Sequence, residues 1–376
     1  MDKNTGSLSF IPAKNTLLMV SLITSSSLLV NGSSFADSSL SVSDSKTNQD
    51  NSLVIYGAAY LSEMKPVLEG FEQKYPSLKV DYTAMSSNVL DAHIRENTFP
   101  QPDITISSVM DLQIRLVNDG YARPHKVNLP GYNAQSGIIP QWSQWRDELF
   151  GFSYEPAVIV FNQSFLEGKQ TPSNRVELLS FIRRHSDELK GKIGLFDIRH
   201  VGIGYLLWSF ERAQTTNYGQ FLELFNLHQA RTFGSSASML KALNEGEIAM
   251  AYNIMGSYAN SWQAKHQDVV IVAAEDYTPV VIRTAFINKT TTRADQAEKF
   301  IDYLFSYSGQ QRMAEATNMP PVRSDIKSHK SAKSLRQDYA ERLKPLPLDV
   351  SLLIFSDQSK RDIVITEWES ALKTYD

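Results

Sequence analysis

Small polar residues follow strand-like runs at four places in the chain: 57–62 (GAAYLS), 107–108 (SS), 197–204 (DIRHVGIG) and 253–257 (NIMGS). Serine, asparagine and glycine at a strand-to-helix turn bring backbone N–H groups and hydroxyls to a helix N-terminus, where partial positive charge favours a small anion. Ser107 and Ser108 are the clearest pair, standing between a short β-branched run and a helical pattern of Val109, Leu112, Leu116 and Val117 that stops at Gly120. Ala58 and Tyr60 belong to the first turn, Gly202 to the third and Asn253 to the fourth. Arg199 adds a planar guanidinium able to pair bidentately with a carboxylate or phosphate, and Arg283, in the run that starts at Thr278, could face the same cleft. Each residue has an ordinary alternative. The serines and Asn253 could simply cap helices, Arg199 could be a surface charge, and Arg283 could pair with a glutamate on a strand surface.

Bond-making chemistry finds less support. Ser238 and Lys241 have the serine–lysine spacing that puts both on one helical turn, but no Ser-Asp-Asn or Lys-Thr-Gly accompanies them. The chain has no Gly-x-Ser-x-Gly, His-Glu-x-x-His or P-loop, and its seven histidines are scattered without metal-ligand spacing. Gly202-x-Gly204 is too short and too late to signal a dinucleotide site. No enzyme activity is expected.

The elements that must position these turns alternate. A strand over 53–56 leads to a helix carrying Met64, Val67, Leu68, Phe71 and Tyr75 on one face, with Ser62 as its cap and Pro66 near its start. A strand over 78–84 delivers the chain to Ser86, Ser87 and Asn88, where a second helix begins, and a third strand spans 103–106. Three strand–helix repeats imply a parallel, right-handed sheet. The run 149–162 is strand-rich and without a helix, which reads as a crossing into a second lobe. That lobe is predicted to hold a helix over 175–189, a strand over 192–196, helices over 204–213 and 236–244, a strand over 248–252 and a helix over 257–265. Strands over 269–274 and 280–287 are read as returning to the first lobe. Helices over 294–307 and 309–316 follow, and then a tail from Lys330 to Asp376, broken at 345–348 (PLPL), in which Ile363, Trp368 and Leu372 have the spacing of a core-facing stripe.

The 376 residues are 42% hydrophobic, enough for two lobes, and a net charge of −4 without a basic cluster argues against a nucleic-acid partner. Lys3 and Lys14 precede an apolar stretch over 17–30, and Ser34-Phe35-Ala36 offers small residues for cleavage, so 1–36 reads as a cleavable signal peptide and 37–52 as a flexible leader. Export to the periplasm is the expectation. With no cysteine, disulfides and lipidation of an N-terminal cysteine are excluded.

The segments 53–58 (LVIYGA), 67–76 (VLEGFEQKYP), 245–253 (EGEIAMAYN) and 297–304 (AEKFIDYL) resemble, in order, the type II periplasmic solute-binding proteins of the ferric-iron-binding-like branch. Within it, 106–113 (ISSVMDLQ), 116–122 (LVNDGYA), 145–162 (WRDELFGFSYEPAVIVFN) and 357–361 (DQSKR) resemble the phosphoglycerate-transport regulatory proteins. The resemblance implies an α/β fold of two lobes joined by a hinge of crossing strands. Lobe 1 would comprise 53–155 and 276–320, and lobe 2 would comprise 156–275 and 321–376, including the helical tail. It implies a small anionic solute, phosphorylated or carboxylate, enclosed between the lobes by a monomer without a cofactor, and either an ABC permease or a sensor kinase as membrane partner. The family's binding loops map here onto Ser86, Ser87 and Asn88 and onto Asn253, and the candidate ligand-binding set is completed by Ala58, Tyr60, Ser107, Ser108, Gly202 and Thr278, joined by Arg199 and Arg283. Iron binders of the branch use adjacent tyrosines as ligands; this chain has no Tyr-Tyr pair, and Tyr252 stands alone in the comparable stretch.

Overall fold

The computed structural model describes residues 52–129 and 137–372. The expected signal peptide, and all but the last residue of the leader, lie outside the described residues.

Lobe 1 starts with the three predicted repeats: β1 (Ser52–Gly57), α1 (Leu61–Lys74), β2 (Lys79–Ala84), α2 (Ser87–Arg95), β3 (Ile104–Ser107) and α3 (Met110–Asn118). β1 pairs in parallel with both β2 and β3. Met64, Val67, Leu68 and Phe71, spaced for one helical face, are all buried, and Phe71 meets Phe300 edge-on at 5.1 Å. Ser62 is not the cap of α1. The helix starts at Leu61, and its cap position, two residues before Ser62, is an extended Tyr60 whose side chain makes no capping bond.

After β4 (Ala122–Arg123), β5 (Gln144–Trp145) and β6 (Leu149–Gly151), the chain crosses to lobe 2 in β7 (Glu155–Asn162). There follow α4 (Gln163–Leu166), α5 (Arg175–Arg184), α6 (Ser186–Leu189), β8 (Ile193–Phe196), α7 (Gly202–Gln214), α8 (Tyr218–Leu227), β9 (Arg231–Phe233), α9 (Ser236–Asn244), β10 (Met250–Met255), α10 (Gly256–Gln263) and β11 (Val269–Val272). The return is made by β12 (Thr278–Val281) and β13 (Thr284–Asn288), followed by α11 (Ala294–Phe305), α12 (Tyr307–Ala316), α13 (Ala332–Asp338), β14 (Leu343–Pro345), α14 (Leu353–Ser356) and α15 (Gln358–Ala371).

Each lobe is built on a seven-stranded sheet among the described residues. The first has the order β2-β1-β3-β13-β6-β5 with β4 beside β13, and the second β14-β12-β7-β10-β8-β9 with β11 beside β7. β7 is central and nearly all buried, which is why it reads as an unbroken apolar run. β11 does not return to lobe 1 as the sequence reading expects. It lies antiparallel to β7, and β12 alone hands the chain back to β13.

The chain after α12 is divided between the lobes. Met319, Val322 and Ala332 join Phe71, Phe300 and Leu304 in the core of lobe 1, while β14 pairs with β12 in the sheet of lobe 2. Leu346, Leu348 and Leu352 then enter a third apolar cluster with Met110 and Ile114 of α3 and Leu206, Leu207 and Phe210 of α7, so apolar burial spans both lobes. α14 rests on α3, where Arg115 donates to the Ser356 carbonyl at 3.2 Å, and the Tyr205 hydroxyl of α7 donates to the Phe355 carbonyl at 2.7 Å. Among the described residues no helix is long and apolar enough to cross a membrane.

Candidate ligand cleft

Six strand-to-helix turns meet at one cavity of about 70 Å³. Lobe 1 contributes Ala58 and Tyr60 after β1, Met85, Ser86 and Ser87 after β2, and Ser108 after β3. Lobe 2 contributes Phe196 and the segment 200–203 after β8, Gly234, Ser235 and Ser236 after β9, and Met255 and Tyr258 around the start of α10. Carboxyl ends of strands are where α/β sheets place their ligands. All four turns singled out in the sequence reach the cleft or its edge, and so does the turn at 86–88. The sixth, at 234–236, escapes the sequence reading because β9 is only three residues long. Arg231-Thr-Phe followed by Gly-Ser-Ser repeats the same pattern of strand and then small polar residues, which is the signal the sequence offers for it.

The way these helices begin decides what the cleft can hold. α1, α3, α7 and α10 start after Tyr60, Val109, Val201 and Met255, and none of these makes a side-chain capping bond. An uncapped first turn has N–H groups without an intrahelical partner, and here an apolar or aromatic residue stands where a serine or aspartate usually takes one of them. Only α2 and α9 are capped at the cleft, by Ser86 accepting from the Val89 amide at 3.3 Å and Ser235 from the Ser238 amide at 3.1 Å. No Asp, Glu, Lys or Arg lines the cavity among the described residues. The lining thus offers helix N-termini and the His200 side chain, with hydroxyls of Ser87, Ser108, Ser236, Tyr60 and Tyr258 around them. Burial raises both phenols above their ordinary value; the nearness of Tyr258 adds to the rise at Tyr60, and Arg283 opposes it at Tyr258. Each phenol is therefore a neutral donor near pH 7.

The lobes touch across the cleft. Asn88 of α2 donates to the His200 carbonyl at 2.8 Å, the Ala237 amide of α9 donates to the Tyr60 hydroxyl at 3.4 Å, and the rings of Tyr60 and Tyr258 lie 5.0 Å apart. Gly202 makes this approach possible, because a Cβ there would stand 3.1 Å from Val109 and 3.2 Å from the Asn88 amide oxygen, both in lobe 1. Gly202→Leu is therefore expected to wedge the lobes apart. Small-angle scattering should give a larger radius of gyration than wild type, and an unchanged profile would mean that the lobes do not close on this residue.

The structure sorts the expected site residues into groups. Ala58, Tyr60, Ser86, Ser87, Ser108 and Gly202 line the cavity, and Asn88 latches its rim. Ser107 stands one layer behind, accepting from the Val109 amide at 3.1 Å and sharing a hydrogen bond with Ser87 at 3.2 Å. Asn253 does not end a strand: it is buried inside β10 at φ 62°, where the pairing with β7 shifts register between Ala251 and Ile254. Thr278 is buried in β12 and donates to the Ala274 carbonyl at 2.9 Å. Arg199 is held away from the cleft lining by Asp197, whose carboxylate it grips at 2.8 and 2.7 Å, and by Trp368, over which it lies at 5.8 Å. Arg283 has no exposure, is closed by Glu155 and does not line the cavity. Tyr252 is likewise interior, donating to Glu211 at 2.8 Å in lobe 2. The serine–lysine pair is not assembled, since Ser238 bonds to Ser235 and the exposed Lys241 reaches Glu245 at 3.7 Å.

Comparison with known proteins agrees with this geometry. The family of bacterial extracellular solute-binding proteins matches residues 99–343. The chain belongs to that family. The substrate-binding protein of an ABC transporter from Agrobacterium tumefaciens superposes with a TM-score of 0.81 at 28% identity, covering 87% of this chain and 96% of that one. The periplasmic binding protein AfuA from Actinobacillus pleuropneumoniae, with exogenous fructose-6-phosphate bound, gives 0.67 at 16% identity over 85% and 98% of the two chains. The apo ferric ion-binding protein A of Pasteurella haemolytica gives 0.67 at 18% over 87% and 100%. No curated protein matches at the sequence level. The fold of this solute-binding protein is thus the two-lobed, type II one that these periplasmic binding proteins share.

Proposed function

We propose that the protein is a periplasmic receptor, exported by a cleavable signal peptide, that encloses a small anionic metabolite between its lobes without turning it over, and passes it to an ABC permease or presents it to a sensor kinase. The observation that carries this reading is the convergence of four uncapped helix N-termini on a cleft lined by hydroxyls and free of carboxylates among the described residues. A phosphate or a pair of carboxylates would use those amides as its partners, which favours phosphorylated three-carbon acids, sugar phosphates and di- or tricarboxylates. A sugar phosphate in the structurally similar AfuA is in keeping with this chemistry. Ferric iron fits less well, because Tyr252 is committed to Glu211 and the cleft phenols Tyr60 and Tyr258 are held above their ordinary pKa, which disfavours the phenolates such a metal needs.

Titration calorimetry with 3-phosphoglycerate, glucose-6-phosphate, citrate, succinate and Fe(III) tests the reading. One of the organic anions should bind, and Ser108→Ala should weaken it about tenfold, the value of one hydrogen bond to a charged group. Tight binding of Fe(III) alone, with a visible phenolate charge-transfer band, would overturn it.

A further inference from the structure

Two of the segments that cross between the lobes are bolted together by a buried ion pair. Glu155 is the first residue of β7, where the chain enters lobe 2, and Arg283 stands between β12 and β13, where it leaves. Both side chains are fully buried, and the guanidinium meets the carboxylate with two parallel bonds, Nε to Oε1 at 3.0 Å and Nη2 to Oε2 at 3.1 Å. The backbones join the same unit, since Phe152 N donates to the Arg283 carbonyl at 2.9 Å and Arg283 N donates to Ser153 Oγ at 3.1 Å, which itself donates to Glu155 at 2.7 Å.

The pair does not stop at the hinge. Ser257, in the first turn of α10, donates to Glu155 Oε2, and the next residue, Tyr258, receives Arg283 Nη1 on its hydroxyl at 3.4 Å with the guanidinium 5.6 Å from its ring centre. Tyr258 lines the cleft and faces Tyr60 of the other lobe. We propose that Arg283 is a positioning residue, which fixes the Tyr258 phenol in the cleft wall through its bidentate pair with Glu155 and so makes the hinge and the ligand-facing start of α10 move as one. A lysine cannot do this, because a point charge on a flexible stem cannot hold a carboxylate by two parallel bonds and reach a phenol as well. The proposal rests on the cleft being the ligand site.

The test uses the full chain with 3-fluorotyrosine at position 258, read by fluorine NMR in the absence of ligand, together with affinity for inorganic phosphate as probe. In Arg283→Lys the Tyr258 resonance should shift and broaden, and the phenol should titrate at higher pH in Arg283→Gln, where the positive charge that lowers its pKa is gone. Phosphate binding should fall about tenfold in Arg283→Lys and in Tyr258→Phe, and no further in the double variant. Should the arginine variants fail to fold, Ser257→Ala, which frees Glu155 from α10 and leaves the ion pair intact, should move the same resonance in the same direction. A Tyr258 resonance indifferent to Arg283→Lys and Ser257→Ala, or additive losses of phosphate affinity, would overturn the proposal. Failure of wild type to bind any anion, with the resonance still responding, would instead sink the anion reading and leave the positioning role standing.

Discussion

Arg175→Met is expected to destabilise the folded protein by about 3–5 kcal/mol, the cost of stranding a buried charge. Arg175 and Glu211 are both buried in lobe 2, and their side chains pair directly. Arg175 also reaches Asp276 at 3.1 Å and the Tyr277 carbonyl, and lies 3.4 Å above the Tyr277 ring. Glu211 is held besides by the hydroxyls of Tyr252 and Tyr277, each at 2.8 Å, but its second oxygen has no hydrogen-bond partner among the described residues. Without the arginine, the buried carboxylate keeps only two neutral donors and is left without a compensating charge. Urea unfolding should show the loss directly. Arg175→Met/Glu211→Leu should recover part of it, since removing both partners leaves no orphan charge. A single variant within about 1 kcal/mol of wild type would mean that the pair is already relaxed by water.

What the sequence shows and what it hides follow from the range of the interactions. The turns at 57–62, 107–108 and 197–204 are legible because a short strand, a small polar turn and a helical apolar stripe are all local. β1, α9 and α12 fall within a residue or two of their expected bounds for the same reason. Arg199 and Arg283 mislead because the direction of a charged side chain depends on its partner. For Arg199 that partner is two residues away; for Arg283 it is Glu155, 128 positions distant, on another crossing of the hinge. Asn253 reads as a strand end because a single left-handed residue inside β10 leaves no periodic trace. The tail shows how near a miss can be. Trp368 and Leu372 form a core stripe as their spacing suggests, but their buried companion one turn earlier is Val364, while Ile363 is 52% exposed.

The last expectation concerns Asp111, in the first turn of the helix whose N-terminus brings Ser108 to the cleft. Its side chain is wholly buried and neither carboxyl oxygen has a hydrogen-bond partner of good geometry among the described residues. Burial pushes its pKa from 3.8 up to about 7, with Asp91 of α2 adding to the rise, and with Arg361 of α15 and the nearby amides of Asp111 and Leu112 opposing it. Because the folded value lies above the unfolded one, the native state binds the extra proton between about pH 4 and pH 7. Stability therefore falls as pH rises through that window, and levels off above it. Below about pH 4 both states are protonated and the residue contributes nothing. Asparagine fills the same space without titrating. Asp111→Asn should accordingly match wild type near pH 4 and exceed it by about 2–4 kcal/mol at pH 8, since every tenfold difference in proton affinity between the folded and unfolded states is worth about 1.4 kcal/mol. Urea unfolding at pH 4.5, 6 and 8 would display a gap that opens with pH. Parallel curves would show that an ionised Asp111 finds a partner, with Arg361 of α15, stacked 4.1 Å over the Tyr205 ring, the cation whose field already opposes the rise.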